Sequence, residues 1–179
     1  MDLGAIAQQL SDSGANKQSL PPVDKWDPPF CGDMNLVIKN NGDWWHEGTP
    51  FTRAKLVHLL ASVLKKEDFN YFLVTPVEKI GIQVEDVPFI IVDWQQTEKG
   101  LSVKTQIGDE FILSEDHPVE LREFNGTEVP YCLVRRNLWA RLHQNVLYQW
   151  VDLAETKQNE GKRFLQISSA DYHFNIGSY

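Results

Sequence analysis

The stretch YFLVTPVEKIGIQVEDVPF, residues 71–89, sets Glu78, Lys79, Glu85 and Asp86 among Ile80, Ile82, Val84 and Phe89. Alternation of Ile80, Ile82 and Val84 gives the segment after the proline one apolar strand face. That phase places Glu78 on the core-directed side, where a carboxylate must be paired or protonated. Three roles are open to it: capping a turn or bridging to an arginine, orienting an arginine that holds a ligand, or acting as a general acid or base. Thr75 stands at the same bend and offers a hydroxyl.

Partners for these charges come from two segments that read as helices. One opens at Arg53 (RAKLVHLLASVL) and the other at Arg135-Arg136 (RNLWARLHQNVLYQWV from Arg136). A cation in a first helical turn opposes the macrodipole, so each arginine is expected to be neutralised by something fixed. Glu78, Glu85 and Asp86 could do this as internal salt bridges. A bound phosphate at the helix start could do it equally. Arg141 would add to the same patch or face solvent. Trp44, Trp45 and Trp139 supply rings on which a base could stack, although a tryptophan at helical spacing is more often core.

Catalytic motifs are thin by comparison. Glu85-Asp86 are sequence neighbours, which a strand would turn to opposite faces, against a cooperating acid–base pair. His46, His58, His117, His143 and His173 form no metal-ligand spacing, and Cys31 and Cys132 fit no zinc motif. Ser168 and Ser169 come with no Ser-His-Asp order or nucleophile elbow, and there is no P-loop or G-x-G-x-x-G. No metal and no cofactor is expected.

The chain that carries these residues has 179 amino acids, 42% apolar and 23% charged, a globular composition with room for a core. Its net charge of −8 disfavours nucleic-acid polymers and anionic membrane surfaces, not a small anion held by local arginines. There is no apolar run of signal-peptide or membrane-span length. Two reduced thiols in a cytoplasmic protein is the simplest account of the cysteines.

Periodicity predicts a short amphipathic helix over residues 2–13 from Leu3, Ile6, Ala7 and Leu10. A proline-rich linker follows, with Trp26 and Phe30 expected to pin it by burial. LVIKNNGDWWHEGTPF reads as a hairpin whose Asn41-Gly42 turn needs positive φ at both positions. Thr52 is the expected N-cap of the first helix. Strands are expected at 71–75, 79–84, 88–96, 101–107 and 110–113.

The second half follows the plan of the first. VELREFNG mirrors LVIKNNG with turn asparagines at 125 and 41, and each is followed by a helix and a closing strand pair, residues 71–84 and 163–176. The expected fold is α+β: two repeated hairpin–helix–hairpin units behind an N-terminal helix and linker.

GDWWHEGTPFTRAKLVHLL followed by YFLVTPVEKIGIQVEDVPF, residues 42–89 in outline, resembles a bacterial family of domains of unknown function, number 1285; VRRNLWARLHQNVLYQW matches it more loosely. Members share a Gly-x-Trp hairpin, a Gly-Thr-Pro helix entry and a Leu-Val-Thr-Pro-x-Glu-Lys segment. The resemblance implies a duplicated motif with a pleckstrin-homology-like second half. It also implies a nucleotide-like ligand in a groove between the halves and a role in signal transduction. Where members often carry a basic residue, this chain has Gln144 or Asn145.

Taken together, the expected divisions are 1–30 (helix and linker), 31–87 (first α+β domain) and 88–179 (second). The expected function is non-enzymatic binding of a small anionic or nucleotide-like ligand in the cytoplasm. The expected binding residues are Trp44, Arg53, Thr75, Glu78, Lys79, Glu85, Arg136 and Arg141. The alternatives are a protein–protein interaction domain and a hydrolase using Glu78 or Asp86.

Overall fold

The computed structural model describes residues 2–12 and 19–179; part of the expected linker, residues 13–18, lies outside them. The chain divides into two compact units, Met1–Asp86 and Val87–Tyr179.

In the first unit, helix α1 (Leu3–Asp12) buries Ile6 and Leu10, as its spacing predicts. A single turn of 3-10 helix at Val23–Lys25 follows. The linker is pinned by the buried Val23, Pro21 and Pro28 rather than by Phe30, which is 57% exposed and opens the first strand. Strands β1 (Phe30–Ile38), β2 (Trp44–His46) and β3 (Thr49–Pro50) form a meander. The β1–β2 turn takes positive φ at Gly42 and not at Asn41; its hydrogen bond runs from Gly42 N to Lys39 O at 2.9 Å. Helix α2 (Ala54–Ser62) then leads to a second meander, β4 (Leu64–Glu67), β5 (Asn70–Val74) and β6 (Lys79–Val84). One parallel pairing, β1 with β6, joins the two meanders into a six-stranded sheet of order β3-β2-β1-β6-β5-β4.

The second unit repeats this topology in its main sheet. Its first meander is β7 (Phe89–Thr97), β8 (Gly100–Thr105) and β9 (Glu110–Ile112), and its second is β10 (Val119–Phe124), β11 (Thr127–Arg135) and β12 (Leu138–Leu142). The first and last strands again lie parallel, β7 beside β12, giving the order β10-β11-β12-β7-β8-β9. Helix α3 (Gln144–Leu153) and a separate sheet of β13 (Glu155–Asn159), β14 (Lys162–Ser169) and β15 (Tyr172–Ser178) complete the unit. The buried Ser169 ties the layers: its Oγ accepts from Leu101 N and donates to Leu113 O, at 2.8 and 2.7 Å. Trp150 of α3 packs against Phe174 of β15, centroids 5.6 Å apart.

The α+β class and the two similar halves are therefore present, with corrections. The order three strands, helix, three strands does recur, in β1–β6 and again in β10–β15, but the pairing does not. In the second unit the partner of β12 comes from β7, a strand that precedes the repeat. The second helix starts at Gln144 and not at Arg136. Leu138, Ala140 and Leu142 are buried and alternate with half-buried Trp139 and Arg141, which is strand phase. His143 is the N-cap of α3, its Nδ1 accepting from Asn145 N at 3.1 Å. For α2 the cap position falls on Arg53, not Thr52, with extended backbone and no side-chain acceptor for the free amides.

Arg53→Ser should raise stability by about 1 kcal/mol, because the serine hydroxyl can accept from a first-turn amide while a cation leaves the positive end of the helix. Denaturant melts of the two proteins check this. Both cysteines are free, Cys31 exposed and Cys132 fully buried, with burial pushing the Cys132 thiol up to about 12. One thiol should titrate with a disulfide reagent in the native protein and two after denaturation. The neutral thiol is favoured by the fold, so the stability it contributes is present below the ordinary thiol pKa and lost as pH rises toward 12.

Candidate functional site

The expected residues do not gather around the helix starts. Thr75 is fully buried and shapes the β5–β6 turn: its Oγ1 accepts from Val77 N and Glu78 N at 3.3 and 3.0 Å, while its own N–H bonds Glu78 O. Glu78 accepts from Gln9 Nε2 of α1 at 3.3 Å. Glu85 holds the β1–β2 turn, accepting from Asn40 N at 2.8 Å and pairing with Lys39 at 3.4 Å; the amide of Asn40, and then Lys39, keep its carboxyl low. Trp44 is a core residue, 3% exposed, edge-on to Phe51.

The arginines are placed differently from the expectation too. Arg53 is exposed. Arg136 lies in the β11–β12 turn with φ of 52°, and its neighbour Arg135 pairs with Asp109. The idea that Glu78 and Glu85 neutralise two helix-start arginines is therefore overturned. Their partners are Gln9, Asn40 and Lys39, and Arg136 starts no helix.

Two places in the fold do assemble chemistry. The first is on the β4–β5–β6 face of the first unit. Lys79 and Gly81 point to the same side of β6, with Phe72 opposite Gly81 and Lys65 opposite Phe72. Glu67 takes both lysines, Lys79 at 2.8 Å and Lys65 at 3.1 Å, and these two ammonium groups hold its carboxyl below the ordinary range. The Lys79 ammonium also sits over the Phe72 ring, 4.8 Å from its centroid.

Beside this triad the β1–β6 seam is irregular. Phe30 pairs with Lys79 and Asp33 with Gly81, so β1 uses three residues where β6 uses two. The Asp33 carboxylate fills the space a side chain at Gly81 would take; a Cβ there would overlap it. Phe30 stands edge-on to Phe72 with centroids 6.1 Å apart. The result is an open cleft of about 320 Å3 lined by Phe30, Asp33, Tyr71, Phe72, Lys79 and Gly81.

The second place is the outer face of β10–β11–β12. Register puts Glu120, Arg122 and Phe124 on the same side as Tyr131 of β11 and as Trp139 and Arg141 of β12. The Arg122 guanidinium lies 4.2 Å from the Trp139 centroid and 5.1 Å from that of Tyr131, and Arg141 lies 3.8 Å from the Phe124 centroid. Glu120 pairs with Arg122 at 3.0 Å. The two arginines stand on the strands either side of β11, Arg122 level with Val129 and Arg141 with Tyr131. Reading residues 136–151 as one helix hid this face, because a helical phase scatters Trp139 and Arg141. A period of two in REF (122–124) and WAR (139–141) is the signal that could have found it.

A hydrogen bond of 2.7 Å also joins Ser168 Oγ to His173 Nδ1 across the β14–β15 hairpin, on an exposed face.

The comparisons agree with this two-part architecture. The model of the DUF1285 N-terminal domain, a domain of unknown function, matches residues 21–87, and that of the DUF1285 C-terminal domain matches residues 88–176. A crystal structure of a DUF1285 family protein from Silicibacter pomeroyi DSS-3 is 33% identical, with a TM-score of 0.82 over 95% of this chain and 94% of that one. The chain belongs to the DUF1285 family. A second DUF1285 structure, from Shewanella baltica OS155, is 35% identical with a TM-score of 0.54 over 66% of this chain and 91% of that one. No curated protein matches the chain.

Glu67 is ionised at neutral pH and favoured by two cations, so its contribution to stability is present above the ordinary glutamate pKa of about 4.3 and is lost as pH falls below it. Between neutrality and pH 3 the wild type should lose more stability than Glu67→Gln does, measured by denaturant titration at each pH. Equal losses would remove the triad from the account of acid stability.

Proposed function

We propose that this protein is a non-enzymatic, cytoplasmic binding module for a small planar anion of nucleotide-like character, acting as a sensor in signal transduction. The reading is supported above all by the pair of guanidiniums over aromatic rings, Arg122 over Trp139 and Arg141 over Phe124, on one sheet face. A guanidinium already resting on a ring loses little freedom when it takes an oxyanion, and at Arg122 the anion would share the side chain with Glu120, which accepts from its Nε and Nη2 at 3.3 and 3.0 Å. Phosphate or carboxylate oxygens would be taken by these forks, and a planar base would extend the stack of aromatic rings. The net charge of −8 argues for a small ligand and against a polymer. The pleckstrin-homology-like reading of the second half draws support from its two sheets, antiparallel but for the β7–β12 seam, and its one helix.

A protein partner is the second reading. It is favoured by Tyr148 and Val151, 59% and 43% exposed and one turn apart on α3. A hydrolytic role for Glu78 or Asp86 has less support, since Glu78 is engaged by Gln9.

Thermal unfolding against nucleotides and phosphorylated metabolites tests the proposal. A ligand at 100 times its dissociation constant adds about 2.7 kcal/mol. Arg141→Lys should weaken a hit by roughly 1.5–3 kcal/mol, because the ammonium cannot reproduce the planar fork. Arg53→Ala should leave it unchanged. Silence across the panel from a well-folded protein would sink the anion reading.

A further inference from the structure

The cleft of the first unit has a different electrostatic character from the arginine face. Its charged lining groups are the Lys79 ammonium and the Asp33 carboxylate, with Lys65 and Glu67 beside it. Glu67 is consumed by the lysines. Asp33 is exposed and makes no ion pair among the described residues. Its carboxylate occupies the side-chain space of Gly81, two residues along the strand from Lys79 and on the same face. The Lys79 backbone is about 6–7 Å away at 3.3 Å per residue, and its ammonium reaches over the Phe72 ring that stands opposite Gly81, so a negative and a positive group are presented on one face. Lys79 has three N–H donors and spends one on Glu67, leaving donors for a second acceptor. Beside the two poles lie the rings of Phe30 and Phe72, edge-on to each other, and the cleft of about 320 Å3 is at the lower end of small-molecule sites, roughly 300–1,000 Å3.

A site that sums to zero charge, keeps its poles separated and is walled by rings complements a ligand built the same way. We propose that this cleft binds a small zwitterion of the α-amino acid class. The ammonium of the ligand meets Asp33, its carboxylate meets Lys79, and its side chain rests on Phe30 and Phe72. A lone anion would gain Lys79 but face the Asp33 carboxylate, and a lone cation would gain Asp33 but face Lys79. Only a ligand carrying both charges satisfies both poles. Gly81 is the enabling residue, because any Cβ at that position displaces the carboxylate from the floor.

Calorimetric titration of the full chain with glycine, L-leucine and L-phenylalanine, each beside its amide and its N-acetyl derivative, tests the proposal. Binding of a free amino acid should be at least about tenfold tighter than that of either blocked form, since each has lost one pole. Asp33→Asn should abolish the heat of binding without lowering the melting temperature, as Asp33 is exposed. Gly81→Ala should do the same if it folds, and Asp33→Asn carries the test if it does not. Leucine response should survive Arg141→Lys, which separates this cleft from the arginine face. Equal binding of the blocked forms, or no response to any free amino acid up to millimolar concentration, overturns the proposal.

Discussion

Each unit depends on one parallel contact between strands far apart in sequence. Without the pairing of β1 with β6, the first unit would be two three-stranded meanders, each with an open edge and a face too small to bury. The same holds for β7 and β12, where Phe89, Ile90, Ile91, Ala140 and Leu142 meet at 3% exposure or less. Antiparallel meanders are local and form from short turns. The parallel seam needs a whole meander as its crossover, and it alone makes the sheet continuous. In the first unit it also shapes the surface. Because β1 advances three residues against two of β6, the seam cannot stay regular, and the mismatch lifts Asp33 across Gly81. The cleft is thus a by-product of how the sheet is closed.

Electrostatics is organised locally around these sheets. Glu67 collects lysines from β4 and β6, which clamps the β4–β5–β6 edge of the first sheet. Glu85 fastens the strand after the seam to the β1–β2 turn through an amide and Lys39. Asp109 and Arg135 tie the β8–β9 turn to the end of β11. Glu67–Lys79 and Asp109–Arg135, both half-buried, join segments that the hydrogen-bonded ladder leaves unconnected, where register is least constrained. Lys39, Lys79 and Arg135 also rest on rings, those of Trp45, Phe72 and Phe89.

Strands β5 to β9 were legible because alternation and turn residues are local signals, whereas β4 and β11 were not among the expected strands. Ile80, Ile82 and the Thr75-Pro76 bend define β5–β6 without reference to the rest of the fold. The passage from β12 to α3 was illegible for the opposite reason. Leu138, Leu142, Val146, Trp150 and Leu153 satisfy a helical spacing, yet the first two belong to a strand phase continued by Ala140. Only the sheet decides between them, since Ala140 lies in register with Phe89 across the parallel seam. His143, an unusual cap, gave no warning of the break. The cleft had one faint trace in the sequence. Gly81 interrupts Ile80 and Ile82 in an otherwise strong strand, and a glycine there signals a close approach. What approaches it, Asp33, depends on a register shift between segments almost fifty residues apart.

Folding alone gives little account of three features that meet at that cleft. A β-branched residue at position 81 would suit a central strand better than glycine, which weakens it. Phe30 opens a strand with most of its ring in water, although a polar residue could start β1 as well. Asp33 carries a charge beside that ring without an ion-pair partner among the described residues. Each feature is neutral or unfavourable to the fold, and each is favourable to a ligand that brings a cation and an apolar surface together. The lysine of the same face completes the set with a donor for an anion. Stability is served elsewhere, in the seam and the buried faces of the sheets, which leaves this surface free to be shaped by what it binds.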